Sequence, residues 1–285
     1  MLSSAGYRHQ KSRIEILAKR SIARLIALDK VSKFHPALYE KAFGGGRSNP
    51  LNYRLDKKTE LEVVGQIDRI DFSGDGKYFL VIDYKTGDVA INLLEVYYGL
   101  KMQLLTYLLA AKNMMEQDRE KRIPAGMLYF FLRYPMLTES APLSKEQARE
   151  KIEKKLKMPG WILADEEVIR LIDETLHFLK IRLTRNSEVY SSDRGNVKTK
   201  EEFAALLSYI DNLLKDTAES VLTGNIERAP YKLCDKEPCV FCPYKIFCGF
   251  DPKIEGFEYR ELKKLPEDEI YEKIREAVGE DGVDE

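Results

Sequence analysis

Two adjacent segments constrain this chain more than any other feature: ELEVVGQIDRIDF over 60–72 and KYFLVIDYK over 77–85, joined by Ser73-Gly74-Asp75-Gly76. Both are rich in Val, Ile, Phe and Tyr, and a short glycine-containing link between two such runs predicts a β-hairpin. The second run is apolar from Phe79 to Ile82 and then ends in Asp83-Tyr84-Lys85. A strand so apolar is expected to be well buried, where a carboxylate is costly unless paired or metal-bound. Side chains alternate along a strand, so Asp83 and Lys85 share a face and Tyr84 points away. Asp68, on the first strand, comes beside them if the hairpin register aligns. On this fragment alone, a solvated Asp-Tyr-Lys end with a salt bridge across the hairpin is the ordinary alternative.

The flanking sequence supplies the other elements. Apolar residues at helical spacing over 5–29 predict a helix with Ile14, Leu17, Ile22, Leu25 and Ile26 on roughly one face. Pro36 ends it, ALYEKAF over 37–43 reads as a strand, and GGGRSNP over 44–50 as a loop without the Gly-Lys-Ser/Thr of a phosphate cradle. A helix is predicted over 92–116, a buried strand over 125–133, and helices over 144–157, 165–188 and 198–224. Strand, hairpin, helix, strand and then helices make an α/β core with a helical elaboration.

Charge and length narrow the class. The chain has 285 residues and a net charge of −1, so its global charge does not announce a nucleic-acid binder. Residues 1–35 nevertheless carry eight Lys/Arg against two Asp/Glu, and 251–285 carry six against thirteen. The first reads as a solvated basic helix or a phosphate-facing end, the second as an acidic, partly frayed tail. No apolar run nears the roughly 20 residues that span a bilayer, and the N-terminus does not read as a signal peptide, so a cytoplasmic protein is expected.

Carboxylate oxygens suit a hard cation, Mg²⁺ or Mn²⁺, and two carboxylates with a lysine suit phosphodiester hydrolysis. In the helix that follows, Gln103 and Tyr107 are spaced i,i+4 and share a face. Taken together, Gly65-x-Ile67-Asp68, Val81-Ile82-Asp83-Tyr84-Lys85-Thr86-Gly87 and Gln103-x-x-x-Tyr107 resemble the successive motifs of the RecB-like branch of the PD-(D/E)XK nucleases. EVYYGLKMQLLTYL over 95–108 and PYKLCDKEPCVFCPYKIFCGFD over 230–251 are similar to the AddB family, one of the two components of bacterial AddAB helicase–nucleases. The resemblance implies a restriction-endonuclease-like α/β core, a mixed central sheet flanked by helices, over 1–251, with an acidic tail over 252–285. It also implies metal-dependent cleavage of DNA during processing of double-strand breaks, on the strand with the 5′ end, beside an AddA-like helicase–nuclease partner. By the same resemblance Asp68, Asp83 and Lys85 are catalytic, Gln103 and Tyr107 organise the site and the DNA backbone, and Glu40 falls where the family has an acidic residue near the metal.

All four cysteines lie close together, as Cys234-x4-Cys239-x2-Cys242-x5-Cys248. Four thiols in so short a stretch read as metal ligands rather than a disulfide framework. Their spacing leaves zinc and a [4Fe–4S] cluster both open. The resemblance favours the cluster, with Cys239, Cys242 and Cys248 as the last three ligands and the first one upstream of the nuclease core. Cys234 is not where that ligand is expected. The family's metal-binding histidine has no counterpart either: His9 lacks the motif's context, and His35 and His177 read as surface or packing residues. These two absences lead us to expect a piece of a larger protein. A non-catalytic DNA-binding or scaffolding module with an Fe–S or zinc clasp is the alternative, against which the intact Asp68, Asp83, Lys85 and Gln103 argue.

Overall fold

The computed structural model describes residues 4–46, 50–54 and 58–279, so parts of the 44–50 loop and of the acidic end lie outside the described residues. Helix α1 (Ala5–Asp29) starts at Ser4, whose side chain accepts the Tyr7 N–H. Its buried side is not the expected isoleucine face. Ile14, Ile22 and Ile26 are exposed, while Ser21 and Leu28 are buried and Leu17, Arg24 and Leu25 half-buried. The reason is an ion pair: Arg24 turns inward to Glu153, at 2.6 Å, and to the Leu156 carbonyl, at 2.7 Å.

Strand β1 (Phe34–Phe43) takes in Pro36, which as a residue without an N–H coincides with an irregularity in the ladder. A small ribbon, β2 (Asn52–Arg54) and β3 (Glu60–Glu62), precedes the predicted hairpin, which forms as β4 (Gly65–Ser73) and β5 (Tyr78–Lys85). The Ser73 hydroxyl, which accepts the Tyr78 N–H at 2.9 Å, closes its turn. The predicted single helix over 92–116 is two, α2 (Leu93–Tyr97) and α3 (Gln103–Gln117), broken where Gly99 takes φ +71°. The expected buried strand is β6 (Ile123–Phe131), with every residue from Ala125 onward buried.

Helix α4 (Lys145–Leu156) opens with a capping box between Ser144 and Gln147. Strand β7 (Gly160–Leu163) then joins the sheet, an element the sequence did not predict. The helix expected over 165–188 stops after two turns as α5 (Glu166–Ile172). Asp173, fully buried, draws the Thr175 hydroxyl and the N–H groups of Thr175, Phe178 and Leu179 onto its carboxylate, which competes with helix continuation. Strand β8 (Val197–Lys198) and the long helix α6 (Lys200–Leu222) follow.

Strand order across the main sheet is β1-β4-β5-β6-β7-β8, with β5–β6 and β7–β8 parallel and the other neighbours antiparallel. Helix α3 packs on the central strands and α6 packs on α3. This is the mixed sheet flanked by helices that the resemblance implied.

Beyond α6 come β9 (Tyr231–Leu233), the one-turn α7 (Lys245–Cys248), β10 (Arg260–Leu262) and α8 (Glu267–Val278). The acidic stretch read as a tail from 252 is therefore structured up to 279. Strand β10 pairs with β9, and Ile270, Tyr271 and Ile274 of α8 are buried against α6 and α2. Within α8 the acidic residues alternate with the buried Ile270, Tyr271 and Ile274, so a charged stretch and a packed helix coincide there. Among the described residues no helix is long and apolar enough to cross a membrane.

Candidate active site

The site lies where the hairpin strands part. Pairing between β4 and β5 runs from Phe72–Phe79 to Arg69–Ile82 and stops. The next residues outward are Asp68 and Asp83. Asp68 takes up the freed backbone donor: its Oδ2 accepts the Tyr84 N–H at 2.8 Å. On the other side β5 stays paired with β6 as far as Lys85–Phe131, which holds Asp83 and Lys85 rigidly.

Asp83 is 2% exposed, and burial pushes its carboxyl above the ordinary range, opposed by Lys85 and reinforced by the Asp68 charge. Lys85 Nζ lies 2.6 Å from Asp83 Oδ2, close enough for an ion pair. The approach is off the angle of a hydrogen bond, so that buried oxygen has no hydrogen-bond partner. Lys85 donates instead to Gln103 Oε1 at 2.9 Å, and Gln103 Nε2 donates to the Tyr107 hydroxyl at 3.1 Å. The Tyr107 ring meets Phe43 edge-on at 6.3 Å. Four of the five predicted catalytic residues, from Asp83 through Lys85 and Gln103 to Tyr107, thus form one chain of contacts, with Asp68 across the parting strands.

Tyr129 is the residue the sequence did not single out. It is the β6 register partner of Asp83, it is buried, and its ring lies 5.6 Å from Lys85 Nζ. Burial, then the neighbouring Asp83 and Tyr107, push its phenol up to about 12, so it is a neutral wall beside the lysine. On the opposite side of β5, the Tyr84 hydroxyl lies 3.5 Å from Arg69, which is locked to buried Asp71 by two contacts of 2.6 Å. Burial raises the proton affinity of the Asp71 carboxyl, and the guanidinium fork, which reaches both of its oxygens, offsets part of that.

Glu40 takes another course. It lies between the β1 positions paired with Arg69 and Ile67, across from Asp68, yet its backbone is left-handed (φ +46°) and its carboxylate is hydrogen-bonded to Gln66. Among the described residues no group of three or more His, Cys, Asp or Glu side chains could hold a metal ion. Two carboxylates are nevertheless a donor set that Mg²⁺ accepts, since it keeps waters and substrate oxygens in its shell. The buried Asp83 oxygen, which meets only the Lys85 ammonium, fits such a hard cation.

The cysteines gather only in part. Burial, then the nearby Cys242 and Cys248, raise the Cys239 thiol, so these three sit in one another's field. Cys234 is exposed, with left-handed backbone (φ +54°). The donors are soft, as zinc and iron–sulfur sites require, but no closed cage is present among them.

The sequence profile of the PD-(D/E)XK nuclease superfamily matches residues 2–249. The chain belongs to that superfamily. As a PD-(D/E)XK protein it is 34% identical, over 99% of its length, to the ATP-dependent helicase/deoxyribonuclease B-subunit of Bacillus licheniformis. It is likewise 34% identical, over 98% of its length, to the proteins of that name from Clostridium tetani and from a strain of Bacillus cereus. In each case it covers 25% of the relative, so this PD-(D/E)XK chain spans about a quarter of the length of the curated relatives it matches.

Proposed function

We propose that this chain is a metal-dependent deoxyribonuclease module of a helicase–nuclease that resects double-strand breaks. The carrying observation is the convergence of Asp68, Asp83 and Lys85 at the parting of β4 and β5, with a buried Asp83 oxygen left without a hydrogen bond. Asp68 and Asp83 would hold Mg²⁺ or Mn²⁺, with Glu40 as a further candidate once released from Gln66. A hard divalent cation there supplies polarisation of the scissile phosphate and acidifies nearby water. Lys85 keeps 28% of its side chain open to solvent, which lets its ammonium meet charge developing on a phosphate oxygen. Gln103, backed by Tyr107, fixes where that ammonium sits, and Tyr129 closes the wall behind it.

The relatives' name, helicase/deoxyribonuclease B-subunit, supports DNA as the substrate and an AddA-like helicase–nuclease chain as the partner. We assign it the 5′-ended strand on the strength of the resemblance, and a cytoplasmic location. Cys239, Cys242 and Cys248 are proposed ligands of a [4Fe–4S] cluster, with zinc as the other soft-metal option and Cys234 as a substitute ligand only if its loop rearranges. Visible absorption after anaerobic purification, with iron and zinc analysis, separates these.

The deciding experiment is digestion of single-stranded and duplex DNA in Mg²⁺, comparing wild type with Asp83→Ala. The variant should lose about 10³-fold or more. Equal digestion by both proteins would remove the catalytic assignment and leave a DNA-binding scaffold.

A further inference from the structure

Two grooves meet just past the end of β5, and neither belongs to the carboxylate site. One is lined by Asp88, soon after Lys85, and by Lys101, Arg133, Lys154, Lys155 and Lys180. Its only carboxylate, Asp88, is already paired with Arg133 at 2.5 Å. Lys101 is likewise paired with Glu95 at 2.9 Å, so the cationic character of the groove rests on Lys154, Lys155 and Lys180. The other runs between the Gln10–Arg20 stretch of α1 and residues 132–136, and Thr86 lines it. Its walls are apolar and open: Met136 is 86% exposed, Ile14 66% and Tyr134 50%. Arginines edge it, with Arg20 stacked 3.8 Å over the Tyr134 ring and Arg13 nearby. Arg133 and Met136 line both grooves. The Leu132 N–H donates to the Lys85 carbonyl at 2.8 Å, which ties this ridge to the catalytic strand.

We infer that the paired grooves seat a single strand of DNA, phosphates along the lysine-lined side and unpaired bases against Tyr134, Met136 and Ile14. The inference rests on the nuclease reading for its substrate and extends it by naming strandedness and path. Charge complementarity selects a polyanion for the lysine groove. The adjoining apolar wall selects one with exposed base faces, because a duplex stacks its bases inside while a single strand offers each to an aromatic platform. A second protein segment would match the apolar wall but would leave the lysine side facing itself.

The test is equilibrium binding of a labelled oligothymidylate and a matching duplex to the whole chain in EDTA, read by fluorescence anisotropy over a salt series. The single strand should bind at least tenfold more tightly than the duplex. Lys154→Gln combined with Lys180→Gln, both exposed positions, should weaken it about tenfold and flatten the log–log salt slope by about 1.4, at roughly 0.7 per lost phosphate contact. Tyr134→Ala should weaken it about tenfold with the salt slope unchanged. Duplex binding as tight as single-strand binding, or affinities unmoved by either variant, would overturn the proposal. Digestion in Mg²⁺ separates it from the nuclease reading. A protein that cuts DNA but ignores these substitutions refutes the path alone. One that binds through them but never cuts refutes the nuclease alone.

Discussion

Asp83 carries a conflict at the scale of one residue. A carboxylate buried on the end of a central strand raises its own proton affinity, and Lys85 offsets only part of that. With its folded pKa above the unfolded value of about 3.9, it contributes stability that is fully present below that pH and lost as pH rises through the folded value. In EDTA at pH 7, Asp83→Asn should therefore melt higher than wild type by calorimetry, and the gap should close below about pH 4. A lower melting temperature at pH 7 would contradict the burial argument. Gln103 tests positioning. Gln103→Ala frees Lys85 from its one hydrogen-bond acceptor in the site and should lower kcat about 10–100-fold with KM little changed. A change in KM alone would place Gln103 in substrate binding instead.

At the scale of elements, the parting of β4 from β5 matters more than either strand's composition. A ladder continued by one more pair would leave Tyr84 N–H bonded to backbone and Asp68 without its anchor. Strand β5 is held in place by β6, and β6 by β7, where two glycines permit an unusually close approach. A Cβ on Gly160 would collide with the Met127 carbonyl, and one on Gly126 with the Trp161 carbonyl, both at positive φ. Gly160→Ala should cost about 3 kcal/mol or more in urea unfolding, from backbone strain together with the displaced strand. A loss under 1 kcal/mol would show that β7 slides without disturbing the sheet. The capping boxes Ser144–Gln147 before α4 and Thr199–Glu202 before α6 are local pairs within one turn. The stop at Asp173 depends instead on a carboxylate buried among its own later N–H groups.

Across the whole molecule, Glu95 joins parts that the chain keeps far apart. Buried on α2, it takes Lys236 of the cysteine lobe at 2.6 Å and Lys101 at 2.9 Å, and Lys101 also donates to the Ala90 carbonyl in the loop after β5. Burial works against its charge, but the two lysines together hold the carboxyl below the usual range. Its contribution is thus present above the unfolded pKa of about 4.3 and lost as pH falls through the depressed folded value. Glu95→Gln should cost about 1–2 kcal/mol at pH 7, discounted for the exposed Lys236, and progressively less as pH falls below the unfolded value. Urea titrations over a series of pH values measure this, and a pH-independent cost would mean the side chain acts by packing.

The amino-acid sequence by itself determined the hairpin, the shared face of Asp83 and Lys85, the i,i+4 pair Gln103 and Tyr107, and the close grouping of three thiols. Each follows from alternation, helical spacing or chain proximity, which act within a few residues. Only the tertiary structure decided the rest: that Asp68 meets Asp83 because the ladder ends there, that Tyr129 stands beside Asp83, that Glu40 turns to Gln66, and that α8 packs rather than frays. These depend on which strands become neighbours and in what register, and that is settled by burying the whole sheet at once rather than by any local segment.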